Sequence, residues 1–247
     1  MPMHEYAAAA DLTSSWRQPE WLLIAVAAAA AVCVLWDRVW RVARNVVTIA
    51  HEGGHALVAL LTGRQLSGIR LHSDTSGLTL SAGQPEGPGM VATAAAGYLA
   101  APLVGTVVAG LVSLGQATRV MWIGAAILLT MLVLVRNAYG ALSLVLTAVA
   151  LLAVSLLTPP ALHAAIGGGL SCFLLFAGPR TLVELHRQRR NQFIQSPHLR
   201  DLRVQSDVDQ LARLTGLSVG IWLTIMATAM AAAIVLSVGA LLVSATP

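Results

Sequence analysis

The chain has 247 residues, of which 57% are hydrophobic and only 11% charged, and its mean hydropathy is +0.75. A soluble domain carries about 25% charged residues and a disordered one has little apolar surface to bury, so both are excluded and an integral membrane protein remains. All 15 basic residues are arginine, set against 11 acids, and the small surplus of +4 lies in a few short segments rather than on the contiguous basic face that nucleic-acid binding needs.

Residues 1–20 are polar and slightly acidic, with Glu5, Asp11 and Glu20 against Arg17, and they read as a polar N-terminal tail without the basic start of a signal peptide. Residues 21–247 read as a single membrane-embedded domain. Apolar runs follow at 21–36, 46–61, 91–114, 120–135, 138–157, 161–177 and 219–243. A simple span takes about 20 apolar residues. The third, fifth and seventh runs reach that length, and the shorter ones are expected to be tilted, broken or re-entrant. The expected fold class is an all-α polytopic membrane protein with about six transmembrane helices, set in a lipid bilayer. Cys33 and Cys172 both lie inside apolar runs, which speaks against a disulfide framework and against a thiolate zinc site.

Two stretches interrupt the apolar pattern. Residues 62–90 read as a β-hairpin with flanking loops: 66–72 and 78–82 are candidate strands, and Asp74-Thr75-Ser76-Gly77 carries turn chemistry. Residues 178–213 read as a basic polar loop, with seven arginines against Glu184, Asp201, Asp207 and Asp209. The positive-inside rule places this loop in the cytoplasm, together with a loop carrying Arg38, Arg41 and Arg44. Five apolar runs separate the two basic loops. An odd number of full crossings would put them on opposite sides, so one run is expected to be re-entrant or fused with a neighbour. The candidate breaks are Arg136-Asn137 and Gly167-Gly168-Gly169.

The run His51-Glu52-Gly53-Gly54-His55 carries the chemistry. On a helix, histidines four residues apart project from one face, close enough for both imidazoles to bind one Zn2+. The glutamate beside the first histidine is then placed as general base on a water activated by the metal. The flanking residues, Val46 to Ala50 and Ala56 to Leu61, are apolar apart from Thr48. All three ionisable groups therefore sit at membrane depth, where each costs at least ~2.5 kcal/mol on insertion scales. A lone buried histidine is more often a hydrogen-bonded core residue, but three such groups at this spacing point to a metal. Gly53 and Gly54 weaken the helix by about 1 kcal/mol each relative to alanine and are expected to leave room for metal, water or substrate backbone.

A zinc-binding helix sunk in a polytopic membrane protein resembles the site-2 protease-like intramembrane metalloproteases, in particular their peptidase M50B-like branch of bacteria and plants. The resembling elements are Ala50-His51-Glu52-Gly53-Gly54-His55-Ala56, Gly63-Arg64, Ser76-Gly77-Leu78-Thr79 and Ala96-Gly97-Tyr98-Leu99-Ala100-Ala101-Pro102. Arg136-Asn137-Ala138-Tyr139-Gly140 and Ser206-Asp207-Val208-Asp209-Gln210-Leu211-Ala212 follow in order. The resemblance implies cleavage of a peptide bond in or beside a transmembrane helix of a membrane-protein substrate. High Ala, Val and Leu with arginine in place of lysine suit a GC-rich bacterial genome, so a multi-pass protein of a bacterial cell membrane is expected.

In better-known members an aspartate in a Leu-Asp-Gly motif is the third zinc ligand, and this chain has no Leu-Asp-Gly. Catalytic zinc normally keeps three protein ligands. Asp207, in the Ser-Asp element that resembles the M50B-like branch, is the expected third ligand, with Asp209, Asp74 and His72 as alternatives. Ser206 and Asp207 also make a good helix start, so helix capping competes with ligation as the role of Asp207. The resemblance further suggests substrate binding or oxyanion stabilisation by Asn137, against a plain polar turn between two apolar runs. Gly97, Ala100, Ala101, Gly105 and Gly110 are expected to permit close helix packing, and the hairpin offers a strand edge on which an unwound substrate segment can be held by β-augmentation.

The expected function is thus that of a zinc metalloendopeptidase in which His51, His55 and Asp207 hold the metal and Glu52 moves the proton. A non-catalytic membrane scaffold that binds partner helices is the alternative. A metal or proton transporter would need further facing polar groups in several spans, and the sequence offers few.

Overall fold

The computed structural model describes residues 19–195 and 206–245. The expected polar tail over residues 1–20 thus lies almost wholly outside the described residues, as do Arg200, Asp201 and Arg203 of the basic segment. In chain order the elements are α1 (Glu20–Leu35), α2 (Asp37–Leu61), β1 (Gln65–Leu71), β2 (Gly77–Ala82), α3 (Pro88–Ser113), α4 (Ala117–Met131), α5 (Ala138–Leu157), α6 (Pro160–Gln195), α7 (Asp207–Thr215) and α8 (Val219–Ala245). Each apolar run has become a helix, as it must where lipid leaves backbone N–H and C=O groups no partner but one another.

Among the described residues, α3, α5, α6 and α8 are long and apolar enough to cross a membrane, and α1 with α2 forms a fifth candidate bent by 99°. The bend falls at Trp36, whose extended backbone (φ −87°, ψ 107°) separates the two helices. At 15 residues, α4 is too short for a simple span. The chain is a multi-pass helical membrane protein with a small two-stranded sheet.

Helix α3 stands at the centre, packed by α2, α6 and α8. Its buried positions are mostly small, among them Gly97, Ala100, Ala101, Gly105 and Ala109, and small residues let backbones approach closely. Ser171 of α6 donates a 2.8 Å hydrogen bond to the Gly105 carbonyl across that close contact.

Three sequence expectations change here. Arg38, Arg41 and Arg44 lie on α2 rather than in a loop. Asp37 favours the helix start electrostatically, and no glycine or proline lies between Asp37 and Gly53. Helix α6 runs unbroken through Gly167-Gly168-Gly169, and it continues past Pro179 to Gln195. The first half of the expected 178–213 loop is therefore helix. Packing on both sides compensates the weak propensity of the glycines: a Cβ at Gly167 would come within 2.8 Å of Val112 of α3, while Gly168 and Gly169 face Leu23 and Val26 of α1. Of the two proposed breaks, the one around Arg136-Asn137 separates helices, α4 from α5.

The hairpin falls where the alternation indicates. Strands β1 and β2 pair antiparallel, with Ile69 opposite Thr79 and Leu71 opposite Gly77, and a bulge between Leu66 and Gly68. In the turn, the Asp74 carboxylate accepts the Ser76 N–H at 2.9 Å. Thr75 takes a left-handed backbone (φ 65°), a strained choice for a β-branched residue. The Thr48 hydroxyl fixes it by donating to the Thr75 carbonyl at 2.8 Å. The other edge of β1 is met by the chain between α4 and α5: Ile69 N–H donates to Leu134 O (2.8 Å) and Arg136 N–H to Ile69 O (2.9 Å). Ile69 and Leu71 are wholly buried, packed among Ile49, Ala56, Leu128 and Leu144. Strand β1 is part of the core, while β2, none of whose residues is buried, lies at its margin.

Candidate metal centre and active site

The helical spacing of His51 and His55 puts both imidazoles on the face of α2 that meets α3 and α7. Asp207, the first residue of α7, comes in from the far end of the sequence. Its Oδ2 lies 3.0 Å from His51 Nε2 and 3.2 Å from His55 Nε2, and the two Nε2 atoms are 3.1 Å apart. With zinc–ligand bonds of about 2.0–2.1 Å, tetrahedral geometry places ligand atoms about 3.3 Å from one another. The three candidate donors already stand at nearly that separation. They are also the donor types that a catalytic zinc takes, two imidazoles and one carboxylate, so the residues fit the metal.

The surroundings prepare these donors. His55 Nδ1 is 2.7 Å from the Thr93 carbonyl, which can only accept, so Nδ1 carries a proton and Nε2 is the nitrogen turned to the cluster, where metal binding would displace any proton it holds. Asp207 is held below the ordinary carboxylate range: burial works to raise it, but the hydrogen bonds from His51 and His55 outweigh that. It is an anion, as ligation requires.

Helix α3 passes close behind the pair. A Cβ at Gly97 would overlap His55 Nε2 and lie 2.7 Å from His51 Cε1, so the absence of a side chain there makes room for both rings. Tyr98 meets His51 edge-on at 5.0 Å. The glycines beside the histidines do not leave open space as expected. A Cβ at Gly54 would stand 2.6 Å from Ala100 Cβ, so that glycine serves helix packing.

Glu52 is nearly buried and points the other way round the helix, toward the hairpin. The Thr79 hydroxyl donates to its Oε2 at 2.6 Å. Gly77, two residues earlier and so on the same face of β2, leaves the space that the carboxylate fills, since a Cβ there would overlap Glu52 Oε1. A cleft of about 150 Å³ opens beside the cluster, lined by His51, Glu52, Tyr98, Arg44 and Thr75 among others. It adjoins a second cavity of about 360 Å³ with which it shares Arg44, Thr75 and Glu184.

The competing ligand candidates are occupied elsewhere. Asp209 closes a capping box with Ser206 at the start of α7 and pairs with Arg189 of α6. Burial works to raise its pKa, but Arg189 and Ser206 together hold it below the ordinary range. Asp74 sits in the hairpin turn, where hydrogen bonds from Ser76 lower its pKa. His72 lies 3.3 Å from the Ser76 hydroxyl, exposed in the same turn. The cap and the reach toward histidine, which competed for Asp207 in the sequence, fall to different residues: Ser206 is the cap, and Asp207 meets the imidazoles.

Asn137 is not brought to the cluster. Its Oδ1 accepts the Leu71 N–H at 3.2 Å and its Nδ2 donates to the Leu71 carbonyl at 2.6 Å. Both ends of the amide thus extend the β1 ladder, and Asn137 does not line the cleft. Both hydrogen bonds of the amide go to the hairpin.

Thr93 and Arg189 were not singled out from the sequence, and Thr79 entered only as part of a resembling element. Period-2 alternation with Gly77 marks Thr79 as facing α2, but nothing local identifies a backbone carbonyl or a distant arginine as support for a ligand.

No curated protein and no solved structure matches the chain. A family model described as Peptidase M50B-like matches residues 24–237, from within α1 to within α8 and across every residue of the cluster. The chain belongs to the Peptidase M50B-like family.

Proposed function

We propose that the protein is an intramembrane zinc metalloendopeptidase that hydrolyses a peptide bond in or near a transmembrane helix of a membrane-protein substrate, in a bacterial cell membrane. The observation that carries this reading is the joining of His51, His55 and Asp207, whose donor atoms lie within 4.8 Å of one another, with Glu52 beside them on the cleft.

In this reading His51 and His55 Nε2 and the Asp207 carboxylate hold the metal. When bound, zinc supplies Lewis acidity that acidifies water and polarises the scissile carbonyl. Glu52 accepts the proton of the attacking water and passes it to the leaving amine. Thr79 keeps the Glu52 carboxylate in one orientation for both transfers. Near-complete burial of Glu52 and His55 limits bulk water, which strengthens each electrostatic contact.

A helical substrate must unwind before attack, because its backbone is already hydrogen-bonded. Among the described residues, β1 has β2 on one side and Val135 on the other, while no strand pairs with the outer edge of β2. That edge runs past Glu52 through Gly77 and Thr79, which supports its use in holding the unwound segment by strand addition.

The test is to map new protein termini in membranes expressing the wild type or Glu52→Gln at equal levels. The protease reading expects termini within or beside transmembrane segments that are present with the wild type and absent with the variant. Identical termini in both would leave the non-catalytic scaffold.

A further inference from the structure

We propose that Arg189 is a positioning residue for the metal site: through Asp209 it fixes the start of α7 and so aims Asp207 at the two histidines. The inference rests on the metal reading above and assigns a role that the ligands themselves do not reveal.

Asp207 stands between the two partners of the capping box. The Ser206 hydroxyl accepts the Asp209 N–H at 3.3 Å, and Asp209 Oδ2 accepts the Ser206 N–H at 3.1 Å and the Ser206 hydroxyl at 2.6 Å. All the cap bonds to the carboxylate thus fall on Oδ2. The remaining oxygen, Oδ1, is taken by Arg189 Nη1. The carboxylate therefore joins the first turn of α7 to α6, directly beside the ligand.

The apolar face of α7 fixes the helix but leaves its first residue under-determined. Val208 and Leu211 are wholly buried among Leu182, Leu185, Met226 and Met230, and a seat made of such contacts tolerates small rotations better than a directed ion pair does. Metal ligation is sensitive to such rotations, and outer-shell partners of ligands typically carry 10- to 100-fold in metal affinity. The arginines around it on α6 differ: Arg187 and Arg190 are exposed, whereas Arg189 turns inward to Asp209. One member of the basic segment is thus part of the site's support rather than only a topology signal.

The experiment is a zinc affinity measurement on the full chain in detergent, by competition with a chelating dye, for wild type, Arg189→Ala, Arg189→Lys, Asp209→Asn and Asp207→Ala. Arg189→Ala and Asp209→Asn should each weaken zinc binding about tenfold, and Arg189→Lys should recover most of the loss. In the double variant with Asp207→Ala, Arg189→Ala should leave the weak residual affinity of the two histidines unchanged, because the ligand it positions is gone. A purely structural ion pair would instead lower the melting temperature without this dependence on Asp207. Zinc binding by the wild type with equal affinity in Arg189→Ala overturns the positioning role alone. No zinc in the metal-replete wild type overturns the metal reading as well.

Discussion

The Thr79 hydroxyl donates a 2.6 Å hydrogen bond to Glu52 Oε2, so the β-hairpin, and not the helix that carries Glu52, sets the orientation of the acid. A hydrogen bond to a charged group is worth about 1.5–3 kcal/mol, and 1.4 kcal/mol is tenfold in rate. Thr79→Val should lower kcat by about ten- to a hundredfold and leave the zinc content unchanged, while Thr79→Ser should stay near wild type. Assay of a mapped substrate together with metal analysis checks both. Loss of zinc in Thr79→Val would show that the hairpin supports the ligands instead.

Gly97→Ala should remove metal binding without unfolding the protein. The added Cβ overlaps His55 and crowds His51, while alanine itself favours α3 by about 1 kcal/mol over glycine. Zinc analysis with circular dichroism separates the two effects: the expected result is full helicity with little or no metal.

Asn137 gives a different signature. Replacing it with leucine strands the Leu71 N–H and C=O, which are buried beneath the helices, and should cost about 1–3 kcal/mol. The expected result is a lower melting temperature and faster hydrogen exchange at the Leu71 amide. Unchanged stability with a large fall in kcat would return Asn137 to the oxyanion role.

The hairpin turn should respond to acid. Ser76 lowers the pKa of Asp74 by donating to its carboxylate, so the turn gains stability from the ionised form. That gain is complete above the ordinary carboxylate range, about pH 4, and is lost as pH falls through the lowered value. Hydrogen exchange at Ser76 N–H should therefore quicken at acid pH beyond the intrinsic trend, and Asp74→Asn should flatten that response.

How much of this was legible in the sequence follows from how local each feature is. The apolar runs gave the helices because lipid admits few alternatives, and the His51–His55 spacing gave one face because helix geometry is local. Asp207 was reachable through its Ser-Asp element, but its meeting with the imidazoles depends on α7 docking on α3, α6 and α8. The bonding of Asn137 to the hairpin was not legible because its amide partner, Leu71, lies 66 residues away in sequence, and only the tertiary pairing of β1 with Val135 reveals it. The arginines of α2 read as a loop because charge alone does not distinguish a solvated helical turn from a loop. Glu52's dependence on Thr79 had a signal, the shared face with Gly77, that needed the hairpin's position against α2 to be read.

The zinc stoichiometry of the purified, detergent-solubilised protein beside His51→Ala and Asp207→Ala tests the metal centre most directly. The wild type should hold about one zinc per chain, and both variants should lose it. A metal-replete wild type without zinc would contradict the proposed metal centre, and zinc retained by Asp207→Ala but lost by His51→Ala would remove Asp207 from the ligand set.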